Sequence, residues 1–140
     1  MKIIRCIDVE TTSSKEPPDA AICEIGWHDV VMTEAGEGRW VPSLRPGSGV
    51  AQLVNSGIEI EPDARAVHHI SNADLAGAAT LDQMLPALLQ GADFLAAHSS
   101  AYEKKFLDVA VGGKVWICTL KAARRVWPDA PSHSLQVLRY

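Results

Sequence analysis

Three extended-type segments open this chain with nothing helical between them, and no other feature limits the fold as much. Residues 3–8 are apolar, short and β-branched, as a buried strand requires. A polar turn from Thr11 to Asp19, with Pro17-Pro18, leads to a second strand over residues 21–32. A third, near residues 37–44, follows a Gly-containing turn, so the opening predicts an antiparallel meander. Pro46, Gly47 and Gly49 then mark a loop, and the Ala-rich stretch from Asp63 to Gly77 predicts short helical turns.

After Thr80 the periodicity changes. Thr80 and Gln83 have capping-box spacing, and Leu81, Leu85, Leu88 and Leu89 supply an apolar helix face. Pro86 should kink this helix or move its regular start later, and Gly91 should stop it. Residues 93–97 read as a strand, followed by a helix from Ser100 with Tyr102, Phe106 and Val109 on one stripe. Residues 114–118 read as the last strand. A helix over 119–127 ends at Pro128, with Leu120, Ala123 and Trp127 facing the core, and a further helix starts within 132–140. The order βββ-α-β-α-β-α predicts a mixed α/β sheet flanked by helices. With 140 residues and no visible linker, residues 1–140 make one domain with one core.

Composition narrows the function classes. Hydrophobic content of 47% and charged content of 21% are those of an ordinary globular protein. The amino terminus reaches Asp8 too early for the apolar region of a signal peptide. No apolar run approaches the roughly 20 residues that span a bilayer, so no membrane association is expected. Cys6, Cys23 and Cys118 are too few and too scattered for a disulfide framework or a zinc site, which fits a cytoplasmic location. The net charge of −4 argues against holding nucleic acid by bulk electrostatics. A nucleic-acid substrate would need metal ions or a local basic patch. Lys121, Arg124 and Arg125 share one helix face and read either as phosphate contacts or as a solvated surface. Trp27, Trp116 and Trp127 are core candidates, whereas Trp40, between turns, could stack on a base.

The chemistry is concentrated at the end of the first strand. Asp8 and Glu10 are separated by one residue, so on a strand both carboxylates face the same way, about 7 Å apart along the chain. Two hard carboxylates there suit Mg²⁺ or Mn²⁺, although an isolated D-x-E also reads as a strand ending in solvated acids. The context decides. Ile7-Asp8-Val9-Glu10-Thr11-Thr12, with Ile22-Cys23-Glu24-Ile25-Gly26 on the next strand, resembles the opening of the DnaQ-like, DEDD-type 3′–5′ exonucleases of the RNase H-like superfamily. Ser13 stands where that family has glycine. His98-Ser99-Ser100-Ala101-Tyr102-Glu103 is similar to the family's second motif, H-N-x-x-F-D, with Glu103 in place of its aspartate. Val67-His68-His69-Ile70 is similar to V-H-G-I. Cys118-Thr119-Leu120 through Ser134-Leu135 and Leu138 resembles the later pattern of helix, Pro-containing loop and S-L-x-x-L.

The resemblance implies an RNase H-like, mixed five-stranded sheet whose first three strands are antiparallel. It implies stepwise hydrolysis of DNA or RNA from a single-stranded 3′ end, releasing nucleoside 5′-monophosphates, with two divalent ions, Mg²⁺ or Mn²⁺. Asp8, Glu10 and Glu103 would be the metal ligands and the catalytic residues. Thr11, Thr12, His68, His98 and Tyr102 would meet the substrate; a polymerase or other protein partner is left open. Each assignment has a plainer counterpart. Ser100-x-x-Glu103 is also a capping box, His68 also fits a polar loop, and His98 also fits a packed strand end. The family's last motif, H-x-x-x-x-D, has no match after Asp129, so the domain is expected to be truncated or, alternatively, to be a catalytically inactive binding domain of the same fold.

Overall fold

The computed structural model describes residues 1–139. Four strands come first: β1 (Lys2–Thr11), β2 (Ile22–Glu34), β3 (Trp40–Leu44) and β4 (Val50–Leu53). Helices α1 (Pro62–His68) and α2 (Leu81–Leu89) follow. The remainder alternates: β5 (Phe94–Ala97), α3 (Ser100–Leu107), β6 (Trp116–Cys118), α4 (Thr119–Val126) and the short α5 (Leu135–Leu138). The sheet runs β3-β2-β1-β5-β6, with β4 also paired to β2. β1 pairs antiparallel with β2 and parallel with β5. β6 extends the parallel side, and β3 and β4 both run antiparallel to β2.

The meander is therefore present, and the sheet is mixed, but it has six strands and antiparallel pairings predominate. The additional strand, Val50–Leu53, follows the expected loop and had no assignment from sequence. It is four residues long with Ala51 and Gln52 exposed, too short and too wet to show a period. The further helix expected to start within residues 132–140 is Leu135–Leu138, and Tyr140 lies outside the described residues.

Strand alternation sets the two faces of β1. Arg5, Ile7, Val9 and Thr11 are buried, whereas Cys6, Asp8 and Glu10 look the other way. Ile7 and Val9 pack with Ile25 and Trp27 of β2, Met84 and Leu88 of α2, and Leu95, Leu107 and Val111. Each large side chain so buried stabilises the fold by about 1.5–3 kcal/mol. A smaller cluster of Cys23, Ile60, Ile70 and Leu75 lies under the α1 region. β1, at the sheet's centre, is thus held on both flanks and from its buried face.

Several side-chain expectations change. α2 begins at Leu81, and Gln83 Oε1 accepts the Thr80 N–H at 2.9 Å as the capping spacing implied. Pro86 does not delay that start; Met84 and Leu88, both buried, anchor the helix on either side of it. On α3 the apolar stripe is Tyr102 and Phe106, with ring centroids 5.4 Å apart, and Val109 is 99% exposed because the helix has ended at Leu107. On α4 Ala123 faces the core, but Trp127 is 56% exposed, since it follows the last helical residue and leaves the stripe. Trp27 is buried and Trp40 exposed.

Candidate active site

The end of β1 gathers the acids. Asp8 is exposed, Glu10 half-buried, and both lie on the face opposite Ile7 and Val9. In the β1–β2 register Asp8 faces Gly26, which puts no side chain against it, and Glu10 faces Glu24. Like charges directly opposite one another destabilise a sheet. Burial pushes the Glu10 carboxyl up, Asp8 pushes it further, His68 opposes, and Glu24 adds to the rise. A register shift between Glu10 and Thr11 ends the regular ladder there, a distortion that re-aims side chains near functional sites. Glu24 was not singled out from sequence; only the strand register shows that it belongs to this acidic field.

Glu103 comes to the site from α3. The turn before it places Ser99 in the left-handed region, φ 86°, where a non-glycine residue is strained. That turn makes Ser99, not Ser100, the N-cap, and no side chain caps the helix, so the alternative capping role for Glu103 is not realised. Glu103 is 4% exposed, and its Oε2 has no hydrogen-bond partner. Burial pushes its carboxyl up, its own backbone N–H pulls it down, and the Asp8 charge raises it again. Asp8 thus acts electrostatically on both other carboxylates.

A buried, partnerless carboxylate oxygen in the field of Asp8 has donor chemistry suited to a hard divalent ion. The spacing is open. Among the described residues, no group of three His, Cys, Asp or Glu side chains stands close enough together to enclose an ion. Mg²⁺ commonly takes only one or two carboxylates and fills its remaining positions with water and substrate phosphate, so the donor chemistry fits and the cage is incomplete without further oxygens.

Beside Glu10 lies a pocket of about 220 Å³ whose lining includes Thr11, Ser13, His68 and Tyr102. Thr11 Oγ1 and Tyr102 Oη are 2.7 Å apart, and the Thr11 hydroxyl also lies 2.9 Å from the Ser13 carbonyl. The Ile70 N–H donates to His68 Nδ1 at 3.1 Å. The proton of a neutral His68 is then on Nε2, which faces the Thr11 carbonyl at 3.3 Å. These two contacts let His68 orient the turn. Cys23 lies beneath, its Sγ 3.8 Å from His68 Nε2. Burial first and Glu10 second push its thiol up to about 11.

Two expected substrate contacts, Thr12 and His98, are not in the lining of the pocket at Glu10. Thr12 is fully buried, and its hydroxyl accepts the Ala21 N–H at 3.1 Å; it secures the turn. His98 donates from Nε2 to the His133 carbonyl at 2.7 Å, and its Nδ1 is 3.1 Å from Thr119 Oγ1. It therefore ties the segment before α5 to the end of β5. His98 and Asp8 line a separate, larger cavity of about 430 Å³. Ser13, Ser14, Asp63 and Ala64, which line the pocket at Glu10, carry no sequence signal beyond their place beside the motif residues.

The sheet order and the parallel β1–β5 pair define an RNase H-like mixed α/β fold. A family model described as Exonuclease, of the RNase T type, matches residues 6–140, and the chain belongs to this family. Exodeoxyribonuclease 10 of Escherichia coli strain K12 is 30% identical over 126 residues, 90% of this chain and 49% of that protein. The chain thus spans about half the length of the curated relatives it matches. A solved structure of exonuclease X in complex with 5′-overhanging duplex DNA superposes with a TM-score of 0.72 at 28% identity, covering 96% of this chain and 70% of that one. The nuclease domain of 3′hExo, a DEDDh family member bound to rAMP, gives a TM-score of 0.69 at 17% identity, covering 98% and 76%; at that identity the likeness is one of fold. Among the described residues no helix is long and apolar enough to cross a membrane.

Proposed function

We propose that this chain is a 3′–5′ exonuclease domain that hydrolyses the terminal phosphodiester of single-stranded DNA or RNA and releases nucleoside 5′-monophosphates. The observation that carries this reading is the buried, partnerless Oε2 of Glu103, held in the field of Asp8, while Glu10 lines a pocket together with Thr11 and Tyr102. Asp8, Glu10 and Glu103 would hold two divalent ions, Mg²⁺ or Mn²⁺, together with oxygens of the substrate phosphate. Such ions supply an activated water and neutralise charge on the leaving oxygen.

The protein's own groups do the rest. Thr11 and Tyr102, hydrogen-bonded to each other, form the wall against which the terminal nucleotide rests. His68, fixed by Ile70 and pointing at the Thr11 carbonyl, keeps that wall in register with Glu10. The likeness to exodeoxyribonuclease 10 and to the DNA-bound exonuclease X supports a DNA substrate, and the rAMP-bound 3′hExo domain keeps RNA in the assay. The test uses 5′-labelled single-stranded DNA and RNA with Mg²⁺ or Mn²⁺, and Asp8→Ala purified in parallel. A ladder shortening from the 3′ end and absent in Asp8→Ala is expected. No shortening, or equal shortening by Asp8→Ala, would refute an enzyme and leave a non-catalytic binding domain.

A further inference from the structure

The charged residues lining the pocket at Glu10 are acids, Glu10 and Asp63. A strand whose terminal nucleotide enters there carries one phosphate per nucleotide outwards, across a protein of net charge −4. Cations at the rim are needed to receive it. Two lysines occupy that position.

Lys105 follows Tyr102 by three residues on α3, which puts both side chains on one helix face, and Tyr102 lines the pocket. Its ammonium is bonded to Glu16, in the loop that continues from the pocket-lining Ser13 and Ser14. Lys15 belongs to the same loop, and its Nζ lies 2.6 Å from Glu61 Oε1, two residues before the pocket-lining Asp63. The two side chains are 58% and 43% exposed. The neighbouring Lys104 is turned elsewhere, 3.8 Å from Asp108 along its own helix.

Ion pairs this exposed are weak, because water screens them and ordering two long side chains opposes them. A phosphodiester oxygen can therefore replace either carboxylate at little cost. We infer that Lys15 and Lys105 are the backbone-phosphate contacts of the substrate strand, exchanging Glu61 and Glu16 for phosphate oxygens as the strand enters. The inference rests on the nuclease reading above and extends it to the rim. It makes Glu16 and Glu61 competitors of the substrate: they occupy the lysines until a strand long enough to reach them arrives. A single nucleotide in the pocket gains nothing from either lysine.

The test is the salt dependence of binding to a phosphorothioate-linked, fluorescein-labelled oligothymidylate with a free 3′-hydroxyl, in Mg²⁺, followed by anisotropy. For single strands each lost phosphate contact should lower the slope of log K against log salt by about 0.7, a loss of about fivefold near 0.1 M salt. Lys15→Ala and Lys105→Ala should each show this loss, Lys105→Arg should retain the slope, and Lys104→Ala should match the wild type. Glu16→Gln and Glu61→Gln should bind the oligonucleotide more tightly, and thymidine 5′-monophosphate should bind all variants alike. Slopes of Lys15→Ala and Lys105→Ala equal to that of Lys104→Ala would overturn the inference while leaving the nuclease reading intact. Weaker binding by both glutamine variants would overturn it in the same way. No oligonucleotide binding by the wild-type chain would remove the nuclease reading and this inference together.

Discussion

β1 leads to two charged centres, one towards each end, and they are built on opposite terms. Towards its start, Arg5 donates from Nε and Nη2 to both oxygens of Asp29, at 2.7 and 2.9 Å, and from Nη1 to the Ala87 and Leu88 carbonyls at the end of α2. The guanidinium also lies 5.7 Å from the Trp27 ring centroid. Arg5 and Asp29 are both buried, and the guanidinium's contacts are filled by protein groups. Towards its end, Asp8 is exposed, Glu10 faces Glu24, and the buried Glu103 keeps an oxygen without a partner. The first centre joins strand to helix. The second gathers acids against one another, at a cost to the fold that a bound cation would offset.

Substitutions at the two ends should therefore fail differently. The largest effect is expected from Asp8→Ala, which should lower 3′-end hydrolysis by about a thousandfold or more, since charge stabilisation by bound metal is worth several kcal/mol. Urea unfolding of the same variant should be nearly unchanged, because Asp8 is exposed. Asp29→Ala should do the reverse. By stranding Arg5 in the interior it should destabilise the domain by about 3–5 kcal/mol, read as a fall in the urea midpoint.

Glu103→Gln sharpens the contrast because its expected effect has the opposite sign. The Glu103 carboxyl is raised above its ordinary value by burial and by Asp8, so the folded state prefers the protonated acid. That stability is fully present below the ordinary glutamate pKa and is lost as pH rises through the raised value. In EDTA near neutral pH, Glu103→Gln should melt above the wild type, with the gap closing on acidification through the carboxylate range. Mg²⁺ with a nucleotide should raise the wild-type melting temperature more than that of the variant. The smallest effect concerns the turn that delivers Glu103. Ser99→Gly should relieve the left-handed strain at φ 86° and stabilise the protein by about 1 kcal/mol, measured by thermal melting.

Local chemistry made much of this visible in the sequence. The meander, the alternation after Thr80 and the placing of Asp8 and Glu10 on one face follow from periods of two and 3.6 residues. Glu103 was legible as a position, but its role was not. Whether it caps α3 or stands free depends on the backbone of Ser99, which no spacing encodes. The Arg5–Asp29 pair and the Glu10–Glu24 opposition were hidden for a related reason, because both depend on the β1–β2 register. β4 was missed because it exists only through its pairing with β2. Thr12 and His98 matched motif positions, yet their polar atoms are consumed by Ala21, Thr119 and His133, a fact of packing.

Asp8 and Glu10 of β1 and Glu103 of α3, whose Oε2 has no partner, are proposed to form a cation site. It is tested most directly by titrating Mn²⁺ into the protein in the presence of thymidine 5′-monophosphate, with free Mn²⁺ followed by electron paramagnetic resonance. The wild type should deplete the free signal, Glu103→Gln should deplete it less, and Asp8→Ala should leave it as in buffer with nucleotide alone. Equal depletion by wild type and Asp8→Ala would contradict the claim and leave the acids at the end of β1 without a metal to hold.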